Sequence, residues 1–227
     1  MRRHLLAATA LTSSILFLVP GALAQSVPFD WNGAYAGLLL GSAKGNTHFD
    51  FTGSVSNSDD VPVLGPSGTV TFGVNKQLGN FVFGLAADGS LLNLKGNGST
   101  GGGSIETSLD RLFAVRGRLG FTSGSLLYFA TAGIAAGHES FDTDVFGIGA
   151  DPLTQRPALG DGYVYGPTYG LGVEIALTKK ISLTGEGLVT NLSSLTASGD
   201  NGKSNGGYTA VASTSNVMLR GGVNFHF

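Results

Sequence analysis

Six ionisable residues occupy matching positions in segments that otherwise alternate large apolar and small side chains. Arg116 and Arg118 stand two apart in Asp110–Phe121, and Glu174 sits in Tyr169–Leu177. Glu186 lies in 181–192, Arg220 near the C-terminus and Asp88 in 80–92. Alternate residues of an extended strand share a face, so Arg116 and Arg118 lie opposite Phe113, Val115, Leu119 and Phe121. Three positive and three negative groups in one narrow space would pair, because an unpaired buried charge costs several kcal/mol. Such a cluster can do one of two jobs: fix strand register as a hydrogen-bonded plug, or select and gate what passes.

Other constellations are weaker. His138 and Ser140 lie two apart on one strand face, the spacing of a base and a nucleophile, with Asp151 available as an orienting acid. A lone pair of this kind is more often a polar strand end running into a loop, so no catalytic residue is assigned. Asp142-x-Asp144-x-x-Gly147 begins like a calcium loop, but Phe146 fills the fifth position and Leu153 stands where a bidentate Glu belongs. Asp59, Asp60, Asp151 and Asp161 read as solvated loop acids. Gly98–Gly103 lacks the Gly-Lys-Ser/Thr ending of a phosphate loop. With no cysteine, neither a disulfide nor a thiolate metal site can form. No metal or cofactor is assigned.

The elements that must position the six charges are strands. Alternation recurs over about ten residues, and eight such segments can be counted, near 31–42, 67–76, 80–92, 106–121, 126–138, 163–177, 181–192 and 215–227. Long connections near 43–66, 93–105, 139–162 and 193–214 alternate with the short Gln77–Gly79, Thr122–Ser125 and Thr178–Lys180. Strict long–short alternation predicts an all-β fold: one eight-stranded antiparallel up-and-down transmembrane β-barrel, loops at one end, tight turns and both termini at the other. A narrow eight-stranded lumen must be filled by side chains, and small residues beside a few long charged ones suit it. The first segment is apolar on both faces, which leaves its facing open.

Composition agrees. Glycine accounts for 37 of 227 residues and charged residues for only 12%, yet 42% are hydrophobic. That excludes a coiled coil, a disordered chain and an ordinary water-soluble enzyme surface. Near-neutral charge gives no support to nucleic-acid binding. Met1–Ala24 reads as a secretory signal peptide, with Arg2 and Arg3 before an apolar run from Leu5 to Val19 and a small-x-small site at Ala22–Ala24. The mature domain would then be 25–227, with 11 Lys+Arg against 15 Asp+Glu.

Several segments carry a resemblance. They are Trp31-Asn32-Gly33-Ala34-Tyr35-Ala36-Gly37, Gly79–Gly84 with Asp88, Val115-Arg116-Gly117-Arg118-Leu119-Gly120-Phe121, Gly170–Glu174, Ser182–Glu186 and the ending Arg220–Phe227. In order, behind a signal peptide, they resemble the small porin-like outer-membrane β-barrel family of alphaproteobacteria, whose members are abundant surface antigens. One departure is Gly187 and Val189 where the family often has aromatic residues.

The resemblance implies a non-enzymatic integral protein of the cell outer membrane, its lumen mostly filled, contributing to membrane structure and presenting surface loops. The alternatives are a narrow porin for small solutes and a haem-binding surface protein. For the latter, His48 and His138 in the outer loops would be the haem-iron ligands. The His138/Ser140 spacing is also similar to that of outer-membrane lipid A deacylases, but the supporting asparagine and surrounding sequence of those enzymes are missing here. Implied partners are outer-membrane lipid and lipopolysaccharide, with the barrel-assembly machinery and periplasmic chaperones during biogenesis. The terminal Val223, Phe225 and Phe227 resemble the signal that machinery reads. The oligomeric state stays open.

Overall fold

The computed structural model describes residues 29–54, 56–100, 103–144, 156–202 and 206–227. The expected signal segment lies outside them, as do Asp151, Phe146, Gly147 and Leu153. The described residues form β1 (Gly33–Gly53), β2 (Asn57–Leu78), β3 (Phe81–Thr100), β4 (Gly103–Ser123), β5 (Leu126–Asp144), β6 (Ala158–Ala176), β7 (Ile181–Asn191), β8 (Leu195–Asp200) and β9 (Gly207–His226). Each strand from β1 to β6 pairs antiparallel with the next, and β9 pairs with both β7 and β1 to close the ring. β8 also pairs with β9, continuing the wall that β7 begins. The ring therefore has eight walls, the seventh broken at Leu192–Ser194.

The short connections are local chemistry. Gly79 and Gly124 open two-residue turns with φ of +61° and +64°, the left-handed conformation such hairpins need and glycine adopts without a Cβ clash. At the third turn, the Thr178 hydroxyl accepts hydrogen bonds from the backbone N–H of Lys180 and Ile181, at 3.2 and 3.0 Å.

The long connections are a correction. Most of 43–66, 93–105 and 193–214, and the described ends of 139–162, are strand. At about 3.3 Å per residue and a tilt near 40°, strands of some 20 residues stand about 50 Å tall, twice the ~25 Å apolar band of an outer-membrane barrel. Within that band the outward residues are apolar, as in Leu38, Leu40, Phe72, Leu85, Leu119 and Leu171. Above it the two faces exchange character while the two-residue period continues. On β1, Lys44, Asn46, His48 and Asp50 face out while Phe49 and Phe51 are buried inside. Water replaces lipid as the outer solvent there, so the apolar side chains turn inward.

Inside, the barrel is layered. Trp31, Val82, Leu127 and Phe129 pack near the short-turn end. The six charges come next. Leu94, Leu109, Leu112, Leu188 and Met218 belong to an apolar cluster above them, and Phe49, Phe51, Ile105, Phe141 and Tyr208 to a second one towards the hairpin tips. The facing of β1 is settled by the first layer: Trp31, Tyr35 and Leu39 point inward and Leu38 and Leu40 outward. The Trp31 indole N–H donates to Thr122 Oγ1 at 3.0 Å, which satisfies its one polar group in a buried site.

Candidate lumen charge network

All six predicted charges are buried on the inner face. The upper tier holds Asp88 of β3, Arg116 of β4, Glu186 of β7 and Arg220 of β9. Glu186 and Arg220 are register partners across one strand pair, and the Nε and Nη2 of Arg220 donate to Glu186 Oε2 at 3.1 and 2.7 Å. The same Nη2 donates to Asp88 Oδ2 at 2.8 Å. Arg116 crosses the lumen. Its Nε and Nη2 donate to Asp88 Oδ2 at 3.0 and 2.6 Å, and its Nη1 donates to Glu186 Oε1. Each guanidinium thus bridges both carboxylates. Thr131 donates to Glu186, and Thr69 accepts from Arg220.

The lower tier centres on Glu174 of β6. It accepts from Arg118 Nη2, Ser182 Oγ and Asn224 Nδ2, the last at 2.8 Å, with His226 Nε2 3.2 Å away. Arg118 lies over the Phe129 ring, 3.8 Å from its centroid, a cation–π contact strengthened by exclusion of water. The gap left beside the two tiers, lined by Arg116, Arg118, Glu174 and Asn224 among others, has a volume of about 20 Å³, room for about one water. Three guanidinium groups face three carboxylates, so the layer balances its own charge.

Sequence reasoning missed Ser182, Asn224 and His226. The available signal was parity, since Asn224 and His226 share the inner face of β9 with Arg220. It also placed Glu139 in a loop. Glu139 is instead buried inside β5, accepting from Thr214 of β9, with Oε2 lacking a hydrogen-bond partner.

His48 and His138 sit in strands, not loops. They face outward from β1 and β5, walls on opposite sides of the ring, so they cannot jointly ligate one iron. His48 Nδ1 lies 2.8 Å from Asp60 Oδ1, and that hydrogen bond raises its pKa above the ordinary imidazole value. His138 Nδ1 meets Asp110 at 2.9 Å and its Nε2 lies 3.6 Å from Asp161. Ser140 Oγ bonds Ser108 Oγ at 2.9 Å, so the serine's hydroxyl is engaged with another serine and both His138 nitrogens face carboxylates. Val223, Phe225 and Phe227 project outward at the short-turn end.

A closed ring with an apolar outer belt and a polar inner layer is the architecture of an outer-membrane β-barrel. Comparison with known proteins gives the family. Residues 9–226 match the family model described as "Outer membrane protein beta-barrel domain", and the chain belongs to that family, seated in the cell outer membrane. It is 31% identical over 202 residues to the "22 kDa outer membrane protein" of Rhizobium leguminosarum bv. viciae, covering 89% of this chain and 83% of that one. Among solved structures it is similar in fold to the outer membrane protein OprG of Pseudomonas aeruginosa (TM-score 0.57, 11% identity, covering 88% of this chain and 98% of that one). The outer membrane protease OmpT of Escherichia coli is also similar (TM-score 0.52, 11% identity, 89% and 99% covered). At such identity the likeness concerns fold alone.

Proposed function

We propose that this protein is a closed structural barrel that stabilises the outer membrane and presents its tall hairpins at the cell surface. The observation that carries the reading is the stack across the lumen: two tiers of paired charge, then a continuous apolar cluster of Leu94, Leu109, Leu112, Leu188 and Met218. A hydrated ion moving along the axis would have to displace both layers, breaking buried ion pairs first and then forcing apart packed leucine and methionine side chains. On this reading the short turns and both termini face the periplasm. The hairpins hold outward carboxylates such as Asp50, Asp60 and Glu106 above the bilayer, and no catalytic step is assigned. Planar-bilayer recording tests it. Wild-type protein is expected to insert without reproducible channel steps, and discrete steps would replace this reading with a narrow pore for small solutes.

A further inference from the structure

The outer surface of the barrel is stratified by charge. On β1 to β4 the outward residues of the apolar band end at Leu40, Val70, Leu91 and Phe113. Arg111 follows at once on β4, and Lys44 and Lys95 stand one outward position further, beyond Ser42 on β1 and Asn93 on β3. Lys44 of β1 and Lys95 of β3 are both register partners of one residue, Leu64 of β2. They flank it with Cα atoms about 10 Å apart, two strand spacings of ~4.8 Å. Leu64 is 66% exposed. The remaining cross-strand partners, Val217 beside Lys44 and Ser108 beside Lys95, are uncharged. Neither lysine joins an ion pair among the described residues, whereas Asp110 nearby is taken up by Arg111 and His138. Glu106 stands diagonal to Lys95, one outward position above Ser108, and forms no ion pair with it, while Asp50 and Asp60 lie further towards the hairpin tips.

Two outward positions below Leu64 on β2, beyond Pro66, Gly68 pairs with Leu40 on one side and Leu91 on the other. Those leucines are 77% and 72% exposed. A Cβ added at Gly68 would meet only Leu40, at 3.8 Å. The result is a notch one side chain wide, opening onto the bilayer under a pair of uncompensated ammonium groups. A headgroup anion alone would leave the notch empty, and a neutral acyl chain would leave the lysines unmatched. A lipid carrying both answers both.

We infer that Lys44 and Lys95 clamp the phosphate monoester of an outer-leaflet glycolipid over Leu64, with one acyl chain in the Leu40–Gly68–Leu91 notch. Two ammonium groups match the nearly two negative charges of a monoester better than the single charge of a phosphodiester lipid. Asn46 and Asn93, on the same outer face, supply hydrogen-bond groups for sugar hydroxyls. The inference rests on the barrel's seat in the outer membrane and is independent of whether the lumen conducts.

Native mass spectrometry of the purified full barrel in detergent is the test, with diphosphoryl lipid A, its dephosphorylated form, phosphatidylglycerol and inorganic phosphate as probes. Diphosphoryl lipid A should be retained at least tenfold more than the dephosphorylated form. K44Q/K95Q should abolish the difference, and K179Q/K180Q at the opposite end should preserve it. Gly68→Leu should weaken retention several-fold, and inorganic phosphate should compete poorly. Heat-modifiable migration confirms that each variant is folded. Equal retention of the two lipid A forms, or a K44Q/K95Q variant that binds like wild type, would overturn the clamp. Phosphatidylglycerol held as tightly as lipid A would overturn the choice of a monoester. Full competition by inorganic phosphate, or an unaffected Gly68→Leu, would overturn the notch.

Discussion

Glu186 accepts from both Arg116 and Arg220, so its loss leaves two buried guanidinium groups sharing one carboxylate, Asp88, with a positive charge in excess. Glu186→Ala should cost about 3–5 kcal/mol. Adding Arg220→Ala should cost much less than it does alone, since the excess positive charge leaves with it and Arg116 keeps Asp88. A double-mutant cycle from urea unfolding in detergent checks this, and additive losses would mean that the pair does not act as a unit. Glu139 behaves differently. It lies above the apolar band, and burial among Leu109 and its neighbours raises its pKa above the usual carboxylate range, with only the Thr214 hydrogen bond opposing. Between the unfolded and the folded pKa the folded state therefore keeps a proton that the unfolded chain has lost. Its favourable contribution is present below an unfolded pKa of about 4.3 and is lost as pH rises through the folded value. Glu139→Gln should raise the unfolding midpoint relative to wild type at neutral pH, with the gain shrinking towards pH 4. A gain that does not change with pH would refute the account.

Closure of the ring depends on glycine at the β1–β9 seam. A Cβ at Gly41 would collide with the Leu219 carbonyl oxygen and the Arg220 Cα, and one at Gly45 with the Ser215 carbonyl oxygen. These are backbone atoms that cannot step aside. Gly41→Val should prevent β1 from seating on β9 and abolish the fast-migrating folded form on unheated gels. Gly185→Val is the control. Nothing lies within 4 Å of a Cβ there, and its cost should stay within about 0.5 kcal/mol. The tall hairpins make a second prediction at this scale. Amides of Thr47–Phe51 and Val61–Val63, if held in ladders over the apolar cluster, should resist hydrogen exchange as strongly as those in the membrane band. Exchange at loop rates would contradict the strand extension.

For the molecule as a whole, the lumen has two barriers of different chemistry in series. The Glu186→Ala/Arg220→Ala double substitution thins the charge layer by one pair, keeping Arg116–Asp88 and Arg118–Glu174, and leaves the cluster of Leu94, Leu109, Leu112, Leu188 and Met218 in place above. The double variant is therefore expected to remain silent in planar bilayers even where the unfolding cycle shows strong coupling. Conductance appearing with that change alone would make the charge layer a gate and the apolar cluster permeable.

Much of this was legible in the chain because it is local. The two-residue period of β4, β6 and β9 assigned the inner face of Arg116, Arg118, Glu174 and Arg220 without coordinates, and Gly79 and Gly124 announced their turns through a conformation that glycine adopts at little cost. The upper halves of the strands were not legible. Phe49, Phe51, Val61 and Val63 alternate as regularly as any membrane strand, but on the opposite face, and a pattern sought for lipid outside reads as loop once water takes its place. Facing in β1 was open for a related reason, since both faces are apolar and only packing of Trp31 against Thr122, Phe29 and His226 decides between them. Partners across the lumen were further still from reach. That Arg116 meets Glu186 seventy residues away, or that Asn224 and His226 converge on Glu174, follows from the stagger of eight walls around the closed ring. Parity along a strand is a property of its own backbone, whereas the height at which two strands face each other belongs to the barrel as a whole.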